Sequence, residues 1–183
     1  TRSYFKDIPV AWQMARNGHW NSVVIDQTPS QWPVFFADRV VGPLWQRGYR
    51  GFFLDTMDSY RLASQFDEAA QQEGLVKVIQ TLHERFPGIR LIMNRGFDIV
   101  PRVKDKIEMV AAESLYRSWN AGANRYEEVP DADRQWLLTQ LRTIQTRDGI
   151  PVLAIDYVPP NDRALARETA KRIQADGFTP WVS

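Results

Sequence analysis

The chain has 183 residues, the length of one domain, and its 44% hydrophobic and 12% aromatic content is enough for a sizeable core. Its 23 basic and 22 acidic residues nearly cancel, which excludes a global field that would draw in nucleic acid or an anionic membrane and leaves only local charge for recognition. The absence of cysteine excludes disulfides, thiol nucleophiles and thiolate metal sites, and no apolar run approaches the roughly 20 residues of a membrane-spanning helix.

The chain opens on Thr1 rather than Met and shows no charged and apolar leader, which predicts that residues have been removed ahead of it. Ser22 to Gln27 (SVVIDQ) reads as a short buried strand. Trp32 to Gln46 carries apolar residues on one helical face, and Pro43 inside it predicts a kink or an early end. Gly51 to Leu54 begins GFFLDTMDSY, whose unalternating Phe52, Phe53 and Leu54 read as a strand covered on both faces. Asp55 then leaves the core where the strand ends. A helix is expected over about Glu68 to Phe86, closed by Pro87 and Gly88, followed by a strand over Ile89 to Asn94 (IRLIMN).

Ile107 to Glu113 (IEMVAAE) is strand-like, and a polar, aromatic loop follows to about Pro130. A helix capped by Asp131 runs to Asp148 and Gly149, a strand covers Val152 to Tyr157, and Asn161 caps a helix through Ala175 before a last strand, FTPWVS. Six strands alternating with helices mean parallel βαβ units, closed either as an open doubly wound sheet or as a (β/α)8 barrel. Asp26, Asp55, Asn94 with Arg95, Glu113 and Asp156 end successive strands, which is where a barrel gathers its reactive groups, whereas an open sheet concentrates them at one switch point. The fold class expected is therefore an α/β, TIM-type barrel. A whole barrel runs to about 250 residues, so this chain is expected to be one domain over residues 1–183 that lacks its N-terminal one or two βα units.

A ring of carboxylates with no HExxH, no phosphate loop and two histidines away from strand ends, His19 and His83, leaves acid-base work to Asp and Glu. Asp55 and Glu113 are the natural pair, since each follows apolar residues, and two such groups can flank a glycosidic bond. The bland alternative is that either carboxylate caps a helix or pairs with Arg95; Asp58 and Ser59 read equally well as turn or N-cap residues. Tyr60, Tyr116, Trp119, Tyr126 and Tyr157 follow strands and offer faces for stacking on sugars. Trp45, Trp136 and Trp181 read as core. A Mg²⁺ or Ca²⁺ site from Asp26, Asp55 and Asp156 has only carboxylates in its favour, so no metal and no cofactor is assigned.

FFLDTMDSY, LIMNRGF, AAESLY and VLAIDYV, in this order and spacing, resemble glycoside hydrolase family 114, the endo-α-1,4-polygalactosaminidases, and TRSYFKDIP and NRGFDIVPRV add to the likeness. The resemblance covers nearly the whole chain. It implies a (β/α)8-type barrel that cuts α-1,4-linked galactosamine or N-acetylgalactosamine polymers internally, with the catalytic carboxylates at Asp55 and Glu113. It further implies an amino-sugar exopolysaccharide as partner, export or synthase proteins nearby, and a periplasmic or secreted setting. Asp26, Asp58, Tyr60, Asn94, Arg95, Tyr116, Asp156 and Tyr157 are expected to bind substrate. A cationic polymer suits an acidic rim. Retention with Asp55 as nucleophile and Glu113 as acid/base is the expected mechanism; the reverse assignment and inversion stay open, as does the rival of a polysaccharide-binding or assembly module that does not cut.

Overall fold

The computed structural model describes residues 3–18 and 21–183, which leaves His19 outside the described residues. The chain begins with a hairpin, β1 (Gln13–Asn17) paired antiparallel with β2 (Ser22–Ile25). Helix α1 (Trp32–Phe36) runs through a widened π turn (Ala37–Val41) into α2 (Gly42–Gln46). The expected disturbance at Pro43 is thus a change of winding, because the proline has no N–H to give and Gly42 bonds five residues back to Ala37.

Five strands then form one parallel sheet: β3 (Gly51–Leu54), β4 (Arg90–Asn94), β5 (Met109–Glu113), β8 (Val152–Asp156) and β9 (Thr179–Val182). A second hairpin, β6 (Arg117–Asn120) with β7 (Arg125–Glu128), stands between β5 and β8 in sequence. The main helices are α3 (Glu68–Arg85), the short α4 (Val100–Val103), α5 (Asp131–Thr143) and α6 (Arg163–Ala175). Asp67 and Asp162 cap α3 and α6 through their carboxylates, so the α6 cap falls one residue after the expected Asn161.

Neighbouring strands in the sheet follow one another in sequence with no reversal. Right-handed crossovers in constant direction place every helix on the same face, which is the winding of a barrel and not of a doubly wound sheet. The helix-side face confirms it: Leu54, Leu91, Met93, Val110, Ala112, Val152 and Ala154 are all buried in one cluster with Leu75, Ile79, Leu82, Leu141, Ile144 and Ile173. Phe53 and Trp181, on the opposite face, are 44% and 61% exposed. The fold is thus the (β/α) barrel type, with β3 and β9 as unpaired edges among the described residues.

The expected first strand, Ser22 to Gln27, is corrected: it belongs to the β1–β2 hairpin, because a local antiparallel partner satisfies its backbone. The end of that hairpin docks on α3. Gln27 N–H donates to Gln71 Oε1 at 2.9 Å, and Gln71 Nε2 donates to Asp26 Oδ1 at 2.6 Å. One helical turn on, a Cβ added to Gly74 would lie 2.0 Å from the Gln27 carbonyl oxygen. Gly74→Ala is therefore expected to destabilise by about 2 kcal/mol or more through backbone displacement, read as a lower urea midpoint at unchanged slope.

Candidate active site

Three neighbouring strands end alike. Asp55 follows β3 and precedes Thr56 at φ 53; Asn94 ends β4 and precedes Arg95 at φ 61; Glu113 ends β5 and precedes Ser114 at φ 63. Left-handed backbone is unfavourable for side chains of this kind, and for a β-branched threonine it is a marked outlier, costing about 1–3 kcal/mol at each position. Each turn is held by the next strand: Met57 N–H donates to the Asn94 carbonyl, Arg95 N–H to Ala111, and Ser114 N–H to Ile155. The conformation stops the strand and fixes the residue before it.

Register places the three side chains on one face. Leu54 pairs with Met93, so Asp55 lies level with Asn94, and Asn94 pairs with Ala111, two residues before Glu113. Glu113 pairs with Ile155, two residues before Tyr157. Steps of two preserve the face of a strand, so Asp55, Asn94, Glu113 and Tyr157 all point away from the helices.

The contacts agree. Asn94 is buried, and its Nδ2 donates to Asp55 Oδ1 at 2.8 Å. A carboxylate only accepts, which fixes the amide orientation and leaves the buried Asn94 Oδ1 with no hydrogen-bond partner. Tyr157 donates its hydroxyl to Glu113 Oε1 at 2.9 Å. Burial raises the Tyr157 phenol above its ordinary value, and the hydrogen bond to Glu113 and the charges of Glu113, Asp55 and Asp156 add to the rise. The hydroxyl thus stays a proton donor to Glu113. A cavity of about 840 Å³ opens beside this rim between β3 and the β1–β2 hairpin, with Asp55, Thr56 and Ser59 in its wall. Glu113 stands outside it, across Asn94.

The remaining expected residues divide. Asp58 is half-buried and precedes a short 3₁₀ turn, Ser59–Leu62, without capping it through its side chain. Arg95 makes no side-chain hydrogen bond or ion pair among the described residues, so the alternative that it pairs with Asp55 or Glu113 is not what is found. Asp26 is taken up by Gln71 and by an Asx turn with Thr28 N–H, which makes it a hairpin anchor.

Of the other residues expected to bind substrate, Asp156 and Tyr116 are held inside the scaffold, and Tyr60 is buried in the wall of the same cavity as Asp55. Asp156 is fully buried on the helix side, and its carboxylate accepts from the N–H groups of Leu115 at 2.6 Å, Tyr116 at 2.8 Å and Arg117 at 3.0 Å. Burial pushes its carboxyl up, and the three N–H donors pull it back. Tyr116 packs toward α5 and α6 under the Arg172 guanidinium, 4.1 Å from its ring centre, and donates to Asp176. Burial and that carboxylate push its phenol up to about 12. Tyr60 is buried, with its hydroxyl near Glu68 and Gln72.

His83 donates Nε2–H to the Lys106 carbonyl at 2.8 Å, a structural role. Trp136 and Trp181, expected in the core, are 52% and 61% exposed, while Trp45 is half-buried against Phe86 under Arg50. Among the described residues no group of three His, Cys, Asp or Glu could hold a metal ion. The left-handed turns had no sequence signal, since Thr, Arg and Ser do not favour them.

Comparison with known proteins shows the family. The family model described as glycoside-hydrolase family GH114 matches residues 1–183. The glycoside hydrolase domain of PelA from Pseudomonas aeruginosa is 36% identical, with a TM-score of 0.87 over 99% of this chain and 71% of that one. A single-residue variant of that domain is also 36% identical, with a TM-score of 0.85 over 99% of this chain and 72% of the variant. Aspergillus fumigatus Ega3 in complex with galactosamine is similar in fold, at 13% identity and a TM-score of 0.70 over 100% of this chain and 68% of that one. No curated protein matches. The chain belongs to glycoside hydrolase family GH114.

Proposed function

We propose that this glycoside hydrolase cuts α-1,4-linked galactosamine and N-acetylgalactosamine polysaccharide internally and with retention, Asp55 attacking the anomeric carbon and Glu113 serving as acid and then base. The observation that carries the reading is the register that sets Asp55, Asn94, Glu113 and Tyr157 on one face, with Asn94 bonded to Asp55 and Tyr157 to Glu113. Two carboxyl groups on either side of one bound sugar supply the two halves of a double displacement. Asn94 holds Asp55 toward the substrate, and Asp58 adds negative charge to the rim, which favours a chain bearing ammonium groups. Arg95 is assigned to the substrate's hydroxyls.

Tyr157 positions Glu113. Tyr157→Phe removes the hydrogen bond to Glu113 Oε1 and is expected to lower kcat about tenfold with KM little changed. A kcat equal to that of the wild type removes Tyr157 from the positioning of Glu113.

An exopolysaccharide substrate assigns the protein to the periplasm or the cell exterior, beside export or synthase proteins, and to processing of a Pel-type biofilm matrix. No helix among the described residues is long and apolar enough to cross a membrane. The test is mass analysis of products from partly deacetylated polygalactosaminoglycan, with Asp55→Asn and Glu113→Gln as controls. Internal fragments made by the wild type alone support the reading. Terminal monosaccharides alone overturn endo action, and polymer bound but never shortened favours a binding module.

A further inference from the structure

The turn after Asp55 carries strain on a side chain that the protein itself does not use. Thr56 holds φ 53, a conformation that glycine or asparagine takes more cheaply and that a β-branched residue resists. Nothing in the fold offsets that cost through the side chain: Thr56 is exposed, and its hydroxyl makes no hydrogen bond among the described residues. Ser59 N–H donates to the Thr56 carbonyl at 3.0 Å and closes the turn. The Ser59 hydroxyl is likewise without a partner among the described residues. Both residues line the cavity of about 840 Å³ whose wall includes Asp55.

The turn is fixed by contacts that involve neither hydroxyl. Met57 N–H donates to the Asn94 carbonyl at 3.1 Å, and Arg61 N–H donates to the Asp58 carbonyl at 3.1 Å. Met57, between the two hydroxyls, is buried; a Cβ added to Gly96 would lie 2.7 Å from Met57 Cβ, so that side chain is seated directly on the Gly96 backbone. Tyr60, next to Ser59, is buried as well. Two hydroxyls with spare donors and acceptors are thus held in the wall beside a rim carboxylate, and Thr56 is one peptide bond from it. Such groups match the alternating donors and acceptors along the edge of a sugar, and their ordering is complete before a ligand arrives. Strained backbone of this kind gathers where a ligand is held.

We propose that the Thr56 and Ser59 hydroxyls bond the polar edge of the sugar unit that lies against Asp55, and that a threonine stands at the strained position for its hydroxyl. This rests on the functional reading above and adds two substrate-binding residues to it.

The test measures binding of an α-1,4-linked galactosamine oligosaccharide to protein carrying Glu113→Gln, which leaves the ligand uncut, together with urea unfolding. Thr56→Val keeps the branched shape and removes the hydroxyl; it is expected to weaken binding about five- to tenfold at an unchanged urea midpoint, and Ser59→Ala does the same. Thr56→Ser restores the affinity. Thr56→Gly releases the strain, so its midpoint holds or rises while it binds as weakly as the valine variant. Parental affinity in any of the three variants lacking a hydroxyl overturns the proposal, as does a serine variant as weak as the valine one, or affinity that falls only in step with a lowered midpoint. Hydroxyl-dependent binding in a protein whose wild type never shortens polymer leaves the two contacts standing and removes the hydrolase reading.

Discussion

Asp55→Asn and Glu113→Gln are each expected to lower polymer turnover by about a thousandfold or more, while thermal stability stays within a few degrees of the wild type. The size of the loss follows from the chemistry assigned to them. An amide at position 55 cannot form a covalent bond to the anomeric carbon, and an amide at position 113 cannot pass a proton to the leaving oxygen; general acid-base transfer alone is worth about 10²–10⁴-fold. The small effect on stability follows from the contacts. Asp55 is exposed and accepts one hydrogen bond from Asn94, which an asparagine carbonyl also accepts, and Glu113 accepts one from Tyr157, which a glutamine carbonyl accepts as well. In the proposed double displacement the two groups act on one intermediate, so the double variant is expected to fall little below the worse single one. Full turnover in either single variant removes that carboxylate from the mechanism.

Asp156→Asn behaves in the opposite way, with a large effect on stability. The carboxylate offers acceptors to three successive N–H groups in a dry site. The amide has a single acceptor oxygen, and its NH₂ faces donors, so at least one buried N–H loses its partner. A cost of about 3 kcal/mol follows, which for a chain of this size lowers the melting temperature by about 6–12 °C. The same contacts shape the segment after Glu113, so activity measured well below the new melting temperature also falls. A variant that melts with the wild type rules out the clamp. Tyr116, whose backbone N–H is one of the three, moves with it.

Much of the barrel was legible in the chain, and the reason is local. FFL, RLIMN, MVAAE and VLAID carry apolar runs bounded by helices with caps and glycine stops, and those patterns survive in the folded structure within a residue or two. The hairpins were not legible. QMARN has no alternation, and RSWN and RYEE lie in a polar stretch where only the pairing of Trp119 with Tyr126 marks a strand.

The site shows where linear reading stops. Asp55 and Asp156 both end parallel strands after apolar residues, and nothing in their neighbours separates them. Register does: Asp156 pairs with Val182, one step from the Glu113–Ile155 row, so it faces the helices while Asp55 faces the open side. A carboxylate that turns inward becomes a backbone clamp, and one that faces the other way becomes available to a substrate. Tyr116 and Tyr157 divide by the same geometry, one under Arg172 and the other on Glu113.

The central claim is that Asp55 and Glu113 address one sugar from two sides. It is tested most directly by incubating the Glu113→Gln protein with an activated aryl α-galactosaminide, whose departure needs no acid, and mapping the peptides by mass spectrometry. The account predicts a glycosyl adduct on Asp55, in the peptide containing FFLDT, that disappears when azide is added to replace the missing base. An adduct on Glu113 of the wild type, or rapid formation of the inverted sugar with no adduct at all, contradicts it.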